Sequence, residues 1–517
     1  MNNNYTNQLL SFNKPEDTKT PRVMVQIGQC SNSVGAQNIL NLISASTAST
    51  DFVETGCDGL CFLAPKVIIE YPDKTTATFN QVSENDIAMI VAQINNSSNK
   101  TNDNNLTRQL LNDQSRVAMD QCGYIDPSDA KTYISKGGYA GLAKALSIEP
   151  KDVISEIEES KLLGRGGAYF PTGLKLRAVS KIESKTKYVV INAEEGEPGV
   201  FKDRHLIEGI PHRIIEGAII SAYAVNANEI IFYINAKAKL SLTRLKNAIN
   251  QSYELNILGK NILGSPYSVE TSIVQGAGGY VCGEETTLLN TLEGDRREPR
   301  IKPPFPTESG YKSSPTLVNN CETLSNIPFI LNNGSNTFKQ IGCEKGYGTK
   351  IISLSGSVNR PGVFEVEIGT SINKIIEHFG GGGIGKNPEN AVSIGGPSSG
   401  VLPHNQLDLP ILPGRIHPTG IMLGAGGVVV LKDKTNILEF IKILAKYNAD
   451  ESCGKCTPCR EGTPRIVKLL EKHDASSNSK YREELSDLAE IVSSASLCGL
   501  GQGAGTPIKS FIHFWPD

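Results

Sequence analysis

The sequence carries almost no excess charge of either sign. Its 51 lysines and arginines nearly cancel 54 aspartates and glutamates, leaving a formal net charge of −3. That balance excludes a nucleic-acid binder relying on bulk positive charge. Long apolar runs are missing too. The stretch Gly217–Val225 is among the longest, and it falls far short of the ~18–20 apolar residues that span a bilayer. No direct membrane insertion is therefore expected. The opening Met1–Leu10 has no basic segment followed by a hydrophobic one, so it does not read as a secretory signal. Solenoid-type repeats are absent as well. Together these absences point to a cytoplasmic chain.

Glycine and cysteine are what the sequence has in meaningful places. At 517 residues, a prior of roughly 150 residues per domain predicts about three or four domains. Such a length builds several cores without a disulfide scaffold. Many of the 50 glycines lie beside charged residues, as phosphate-cradling loops require. The 11 cysteines are odd in number and several are closely spaced. In a large intracellular chain that favours metal or redox chemistry over disulfides.

Hydrophobic patterning divides the chain. Residues 1–20 read as a loose polar tail. Residues 21–100 alternate short strands (from Arg22, near Asp51–Thr55, Lys66–Tyr71 and Thr75–Phe79) with helices at Ala36–Ser46 and Glu84–Ile94, a small α/β unit. The polar stretch 95–105 opens a linker assigned to 101–134. Over 135–340, strands at Tyr188–Asn192, Glu229–Ile234 and Thr271–Val274 alternate with helical segments Arg204–Val225 and Leu240–Leu255. That order predicts a layered α/β sheet with ligand loops at strand ends. Residues 341–434 read as a small β-rich module, and 435–517 as a helical bundle interrupted by cysteine loops.

The most specific local signal is Cys453-Gly-Lys-Cys456-Thr-Pro-Cys459, with Cys498 between Leu497 and Gly499 as the fourth thiol. Four soft thiolates suit an iron–sulfur cluster or zinc. Zinc usually takes paired knuckles rather than a triple run plus a distant single, so a 4Fe–4S cluster is favoured. Cys30, Cys57 and Cys61 form a second group resembling part of a 2Fe–2S site. Its fourth cysteine is missing, with only Ser31 or Ser33 nearby as substitutes. A 2Fe–2S cluster and a site that binds nothing both stay open, and the balance leans slightly against a stable cluster. Cys122, Cys282, Cys321 and Cys343 read as isolated buried residues.

Three loops join glycine to charge. Gly164–Lys175 combines four glycines with Arg165 and Lys175, as phosphate binding requires. Asn192–Asp203 and Gly276–Thr286 are acidic. Carboxylates do not bind phosphate, but they accept hydrogen bonds from ribose hydroxyls or a flavin ring N–H. Gly380–Asn387 fits the Walker A spacing, yet Asn387 stands where magnesium chemistry needs Ser or Thr, and a helix-like segment precedes it. No ATPase follows from it.

Gly164–Lys175, Asn192–Arg204, Gly276–Thr286, Glu293–Pro306, Val318–Thr323 and the Cys453–Cys459/Cys498 set together resemble the flavin- and NADH-binding subunit of respiratory complex I and its soluble relatives. Those relatives are the diaphorase subunits of NAD-linked formate dehydrogenases and hydrogenases. The resemblance covers roughly residues 135–517. It implies an α/β multidomain chain: a Rossmann-like FMN/NAD domain, a β-grasp module and a helical 4Fe–4S bundle. Residues 21–100 resemble a fused thioredoxin-like 2Fe–2S domain.

Position by position, the resemblance places Gly164, Arg165, Gly166, Gly167 and Lys175 around the FMN phosphate and ring. Asn192, Glu194, Tyr280, Gly283, Glu284, Asn319, Asn320 and Thr323 complete the flavin pocket. Phe170 and Phe305 would flank adenine, with Lys302 near the dinucleotide. Glu197 and Glu285, at nicotinamide or ribose, are the candidate catalytic residues. A carboxylate at Glu285 would favour NAD(H) over NADP(H) by repelling a 2′-phosphate. Tyr169, Leu176 and Ala178 depart from the family pattern.

The implied function is hydride exchange between NAD(H) and FMN, with single electrons passing to the 4Fe–4S cluster. A cofactor-degenerate scaffold subunit is the alternative. Other iron–sulfur subunits of a hetero-oligomeric oxidoreductase are the expected partners. The chain ends near Trp515 without a two-cluster ferredoxin tail, which makes formate the first expectation for the terminal substrate.

Overall fold

The computed structural model describes residues 4–12, 20–47, 50–95, 105–383, 391–472 and 479–516. In the N-terminal unit, β1 (Arg22–Gln26), β2 (Asp51–Thr55), β3 (Val67–Glu70) and β4 (Thr76–Phe79) form a sheet of order β2-β1-β3-β4. β1 runs parallel to β2 and antiparallel to β3. Helices Ala36–Ser46 and Ile87–Asn95 turn apolar faces onto it through Ile39, Ile43, Ile90 and Ile94.

The N-terminal unit is fixed to the rest of the chain by backbone contact. Gly59 O accepts from Val363 N at 2.8 Å, and Gly56 lies so close to Gly209 that no side chain fits between them. Arg244 Nη1 donates to Ile27 O at 2.9 Å, and Gln29 N donates to Glu208 at 2.9 Å.

Four parallel strands form the central sheet: β5 (Tyr188–Ala193), β6 (Glu229–Ile234), β7 (Glu270–Gln275) and β8 (Thr316–Asn320), in the order β7-β6-β5-β8. Parallel strands covered by helices lose solvent on both faces, hence the near-continuous Val/Ile runs of β5 and β6. The predicted helix 204–225 is two helices, Lys202–Gly209 and Pro211–Val225. Pro211 has no N–H to donate and fits the first position of the second helix, where that group needs no partner. Asn226, with φ +54°, closes the far end. The second helix is buried on nearly every face, so its apolar run marks a core rather than a membrane helix. No described helix is long and apolar enough to cross a membrane.

Beyond a two-residue hairpin of β9 (Gly342–Cys343) and β10 (Gly346–Tyr347), a five-stranded sheet has the order β12-β11-β15-β13-β14. Its strands are β11 (Thr349–Gly356), β12 (Gly362–Glu367), β13 (Val392–Ile394), β14 (Gly400–Leu402) and β15 (Gly427–Val430). Helices Ile437–Asp450, Thr457–Glu471, Ser479–Ala495, Gly499–Ala504 and Thr506–Phe514 complete the chain. They close a core around Ile441, Leu470, Val492 and Ile508.

Two stretches are more ordered than their composition predicts. Asn4–Ser11, within the expected tail, is a helix whose Leu9 enters the central core. Much of 101–134, the expected linker, packs as well. Asn105–Asn112 is a helix, and Val117, Met119 and Cys122 are core residues. Glu365 accepts Ala118 N at 2.8 Å and Met119 N at 2.7 Å, fixing this stretch to β12. Polar composition hides it, because its few apolar residues point inward. Residues 384–390 of the Walker-like run and 96–104 of the polar stretch lie outside the described residues.

Candidate functional site

Strand order alone locates the pocket. The chain leaves β5 toward β6 on one side, while β8 joins on the other. The crevice at the carboxyl ends of β5 and β8 is therefore the topological switch point where ligands bind in open α/β sheets. Asn192 and Asn320 face each other there in register. Asn192 Nδ2 donates to Gly283 O at 2.8 Å, joining the first acidic loop to the second. Asn320 Nδ2 donates to Asp203 at 2.7 Å, and its Oδ1 caps helix Cys321–Asn333 by accepting Glu322 N at 3.0 Å. The glycine loop closes the same crevice. Arg165 N donates to Thr323 Oγ1 at 2.8 Å, and a Cβ on Gly166 would stand 3.2 Å from Asn320 Cβ.

Several polar atoms here are buried without a protein partner: Arg165 Nε, Glu194 Oε2, Glu197 Oε1 and Asn319 Nδ2. Leaving such atoms unpaired costs about 1–3 kcal/mol each, so the pocket fits a ligand with several donors and acceptors. Glu194 Oε1 accepts from Asn235 Nδ2 at 2.5 Å, which aims the carboxyl. Burial pushes the Glu194 carboxyl up to about 7 and that of Glu197 up to about 8, the latter opposed by Lys202 and Lys350. Glu197 also meets the Tyr280 hydroxyl, at 3.5 Å.

The glycine loop's two cations behave differently. Arg165 is fully buried, and its guanidinium donates to the carbonyls of Leu163 (3.1 Å) and Tyr347 (2.7 Å). Those two bonds tie the loop to β10 and leave Nε as the guanidinium nitrogen without a protein partner. Lys175 lies at the crevice, 3.3 Å from Glu285 and 3.1 Å from Val318 O. Lys302 bridges Glu284 at 2.9 Å and Glu285 at 3.3 Å. Burial raises the Glu285 carboxyl, but Lys175 and Lys302 outweigh it and hold the group below its ordinary range. Glu284 also caps helix Glu285–Glu293 through Thr286 N and Thr287 N. Phe170 and Phe305 are about half exposed at this rim, with Lys175 Nζ 5.9 Å from the Phe170 ring centroid. Of the three departures, Tyr169 takes φ +54° and donates to Gly424 O at 2.9 Å, Leu176 is core, and Ala178 is exposed.

The C-terminal cysteines converge beside this pocket. Cys459, Val281 and Leu500 form one apolar cluster, with Tyr280, Cys453, Cys456 and Cys498 packed against it. Cys456 and Cys498 start helices Thr457–Glu471 and Gly499–Ala504; burial raises the Cys498 thiol, outweighing the backbone N–H groups of Leu500 and Gly501 that favour its thiolate. Glu451, two residues before Cys453, accepts Tyr280 N at 2.8 Å. Among the described residues no three such side chains close on a single metal ion. Four soft thiols gathered in one cluster are a donor set that suits an iron–sulfur cluster.

Comparison with known proteins agrees with this donor set. The Nuo51 FMN-binding domain family matches residues 157–329, the SLBB domain 351–402, and the NADH-ubiquinone oxidoreductase-F iron-sulfur binding region 439–517. The NADP-reducing hydrogenase subunit HndC of Solidesulfovibrio fructosivorans is 41% identical over 398 residues, covering 77% of this chain and 81% of that protein. The F 2 polypeptide of the NADH-quinone oxidoreductase of Rhizobium meliloti (strain 1021) is 41% identical over 386 residues, covering 74% and 92%. The chain belongs to the family of NADH- and FMN-binding flavoprotein subunits. It is an NADH dehydrogenase-type oxidoreductase subunit, in which NAD(H), FMN and a 4Fe–4S cluster make the electron-entry path. The solved structure of an NAD+-reducing nickel–iron hydrogenase in the H2-reduced state superposes with a TM-score of 0.68 at 26% identity, covering 99% of this chain and 86% of that one.

This flavoprotein carries its second thiol group at the N-terminal unit. Cys61 hydrogen-bonds with both Cys30 and Cys57, so the three do meet. Arg204 reaches Cys30 Sγ at 3.9 Å. The serines offered as a fourth ligand are otherwise engaged. Ser31 Oγ accepts Gly28 N at 2.8 Å and donates to Gly28 O at 3.1 Å, and Ser33 donates to Gln29 and Cys30 carbonyls. Three thiols fall one short of a four-cysteine 2Fe–2S set.

Glu195, Lys202 and Glu322 are site residues that lie within the motifs read from the sequence but have no role assigned there, and Asn235 and Lys350 lie outside every motif. Glu195 accepts Asp203 N at 2.7 Å and Arg204 N at 3.1 Å. Its position between Glu194 and Glu197 is a usable signal. Lys350, on a strand of another sheet, offers none.

Proposed function

We propose that Asn192, Glu194, Asn319, Asn320 and Thr323 hold FMN at the β5–β8 switch point, with the Gly164–Gly167 loop and Lys175 at its phosphate. The observation that carries this reading is the set of unpartnered polar atoms at the crevice, next to the four-cysteine cluster. FMN supplies the conversion from a two-electron hydride to single electrons. The chain's own part is to bind, orient and exclude water. Glu194, aimed by Asn235 and raised by burial to about 7, is part protonated near neutral pH and can donate as well as accept. Tyr280 spans the two sites, its ring toward Glu197 and its main chain tied to Glu451.

NADH would enter from the rim, its adenine against Phe170 and Phe305, its phosphates near Lys302, and its ribose and nicotinamide at Glu285 and Glu197. The paired ammoniums of Lys175 and Lys302 offset the charge of Glu285, so discrimination against a 2′-phosphate rests on hydrogen bonding as much as on repulsion. We read 21–100 as a thioredoxin-like unit that docks partners, 135–340 as the Rossmann-like FMN/NAD domain, 341–434 as a β-grasp module and 435–517 as the cluster bundle. Electrons leave near Cys498 to another iron–sulfur subunit of a cytoplasmic hetero-oligomer, whose terminal substrate is chosen by that partner.

FMN uptake by the purified chain, followed by NADH-dependent reduction of an artificial acceptor, tests the reading. Glu194→Gln should retain the fold and weaken FMN binding about tenfold, one lost hydrogen bond to a buried group being worth about 1–2 kcal/mol. Undiminished affinity in both Glu194→Gln and Asn320→Ala would move the flavin elsewhere.

A further inference from the structure

A buried chain of charge connects the five-stranded sheet to the crevice. Lys350, on β11, is fully buried, and its Nζ donates to Glu322 Oε2 at 2.6 Å and to Ile351 O at 2.8 Å. Glu322 Oε1 accepts Ile351 N at 2.9 Å, so this one carboxylate fixes the start of β11 twice. Its Oε2 also takes Lys202 Nζ at 3.0 Å. Lys202, equally buried, continues to Asp203 at 2.7 Å and to Asn320 Oδ1 at 3.2 Å. The chain of contacts thus runs from another sheet to the asparagine at the end of β8.

Packing alone does not call for these groups. Burying ammoniums and carboxylates together is weakly stabilising at best, and apolar side chains of similar volume usually do as well. The charge is felt where the chemistry is. Lys350 and Lys202 both oppose the rise of the Glu197 carboxyl. Burial pushes the Lys350 ammonium down to about 8, while Glu322 holds it up, so it stays mostly charged near neutral pH.

We propose that Lys350 is a positioning residue of the flavin site, fixing Asn320 through Glu322 and Lys202 and raising the midpoint potential of the flavin with its buried charge. This rests on the reading of the crevice as the FMN pocket. A positive charge held in a low-dielectric surrounding favours the electron-rich reduced flavin, so removing it makes the flavin a weaker acceptor for NADH.

The test is potentiometric titration of the FMN-loaded full chain in the presence of reference dyes, comparing Lys350→Met and Lys350→Gln with the unmodified protein. Both variants should titrate at more negative potential, by about tenfold in the two-electron equilibrium with NAD(H), or ~30 mV. A role limited to packing would lower thermal stability, chiefly in one variant, and leave the potential unmoved. Should the Met variant fail to fold, the polar Gln variant carries the measurement. Unchanged or raised potentials in folded, FMN-bound variants overturn the proposal alone. Failure of the unmodified chain to take up FMN overturns the pocket reading, and the proposal with it.

Discussion

The two thiol clusters of this chain differ in number and in surroundings. The C-terminal one gathers four cysteines on a dry floor of Val281 and Leu500, beside the crevice. Its N-terminal counterpart gathers three, with Cys30 exposed and Arg204 and Glu208 alongside. Apolar walls keep water from a bound cluster but also push thiols up, Cys459 to about 11. At the open rim, hydrogen bonding with Cys61, helped by Arg204, holds Cys30 down at about 6 against its partial burial. The two sets of converging thiols thus differ both in ligand number and in how their surroundings solvate them.

The largest effect expected is at the C-terminal site. Cys498→Ala should remove about four irons per chain, the content of one 4Fe–4S cluster, while NADH still bleaches the flavin. Retained iron would break the contrast at once. The docking of the N-terminal unit comes next. Gly59 has φ +100° and lies against Val363 O, so Gly59→Ala both strains the backbone and overpacks the interface, a cost of about 1–3 kcal/mol. Limited proteolysis should release the N-terminal unit early, with the C-terminal iron intact. A third expectation is smaller. Cys57→Ala should change total iron little, and a loss of two irons per chain would equalise the clusters.

The smallest effect concerns the acid loop between them. Burial raises the folded pKa of Glu197 to about 8, above its unfolded value near 4.3. Its contribution to stability is thus complete below about pH 4 and is lost as pH rises through 8. Glu197→Gln cannot ionise, so its thermal midpoint should fall less between pH 6 and 9 than the unmodified chain's, by a few degrees. Parallel profiles would mean that Glu197 ionises freely.

Much of the site is legible locally. The cysteine run, the three glycine loops and strands β5 and β6 are written in contiguous residues, and the structure brings all three loops to one crevice. Strand β8 is not legible as a strand, although the Val318–Thr323 motif picks out its Asn319 and Asn320. It has only five residues and ends in two polar ones, so its inward Leu317 and Val318 make too short a pattern to recognise. The Asn105–Ile125 stretch is hidden for a related reason: its partners, such as Glu365, lie some 250 residues away, as the spacing of 247 between Ala118 and Glu365 shows.

By itself, then, the sequence determined the kind of chemistry, because ligand-bearing residues at close spacing constrain what can bind whatever surrounds them. Only the tertiary structure decided how each charge is used. Arg165 and Lys175 are equal as cations in the sequence, yet one is held by the carbonyl of Tyr347 and the other faces Glu285. Lys350 has no motif at all and gains its place from Glu322. The physical reason is the same in each case: a charge acts through its nearest partners and local dielectric, and both are set by contacts distant in sequence.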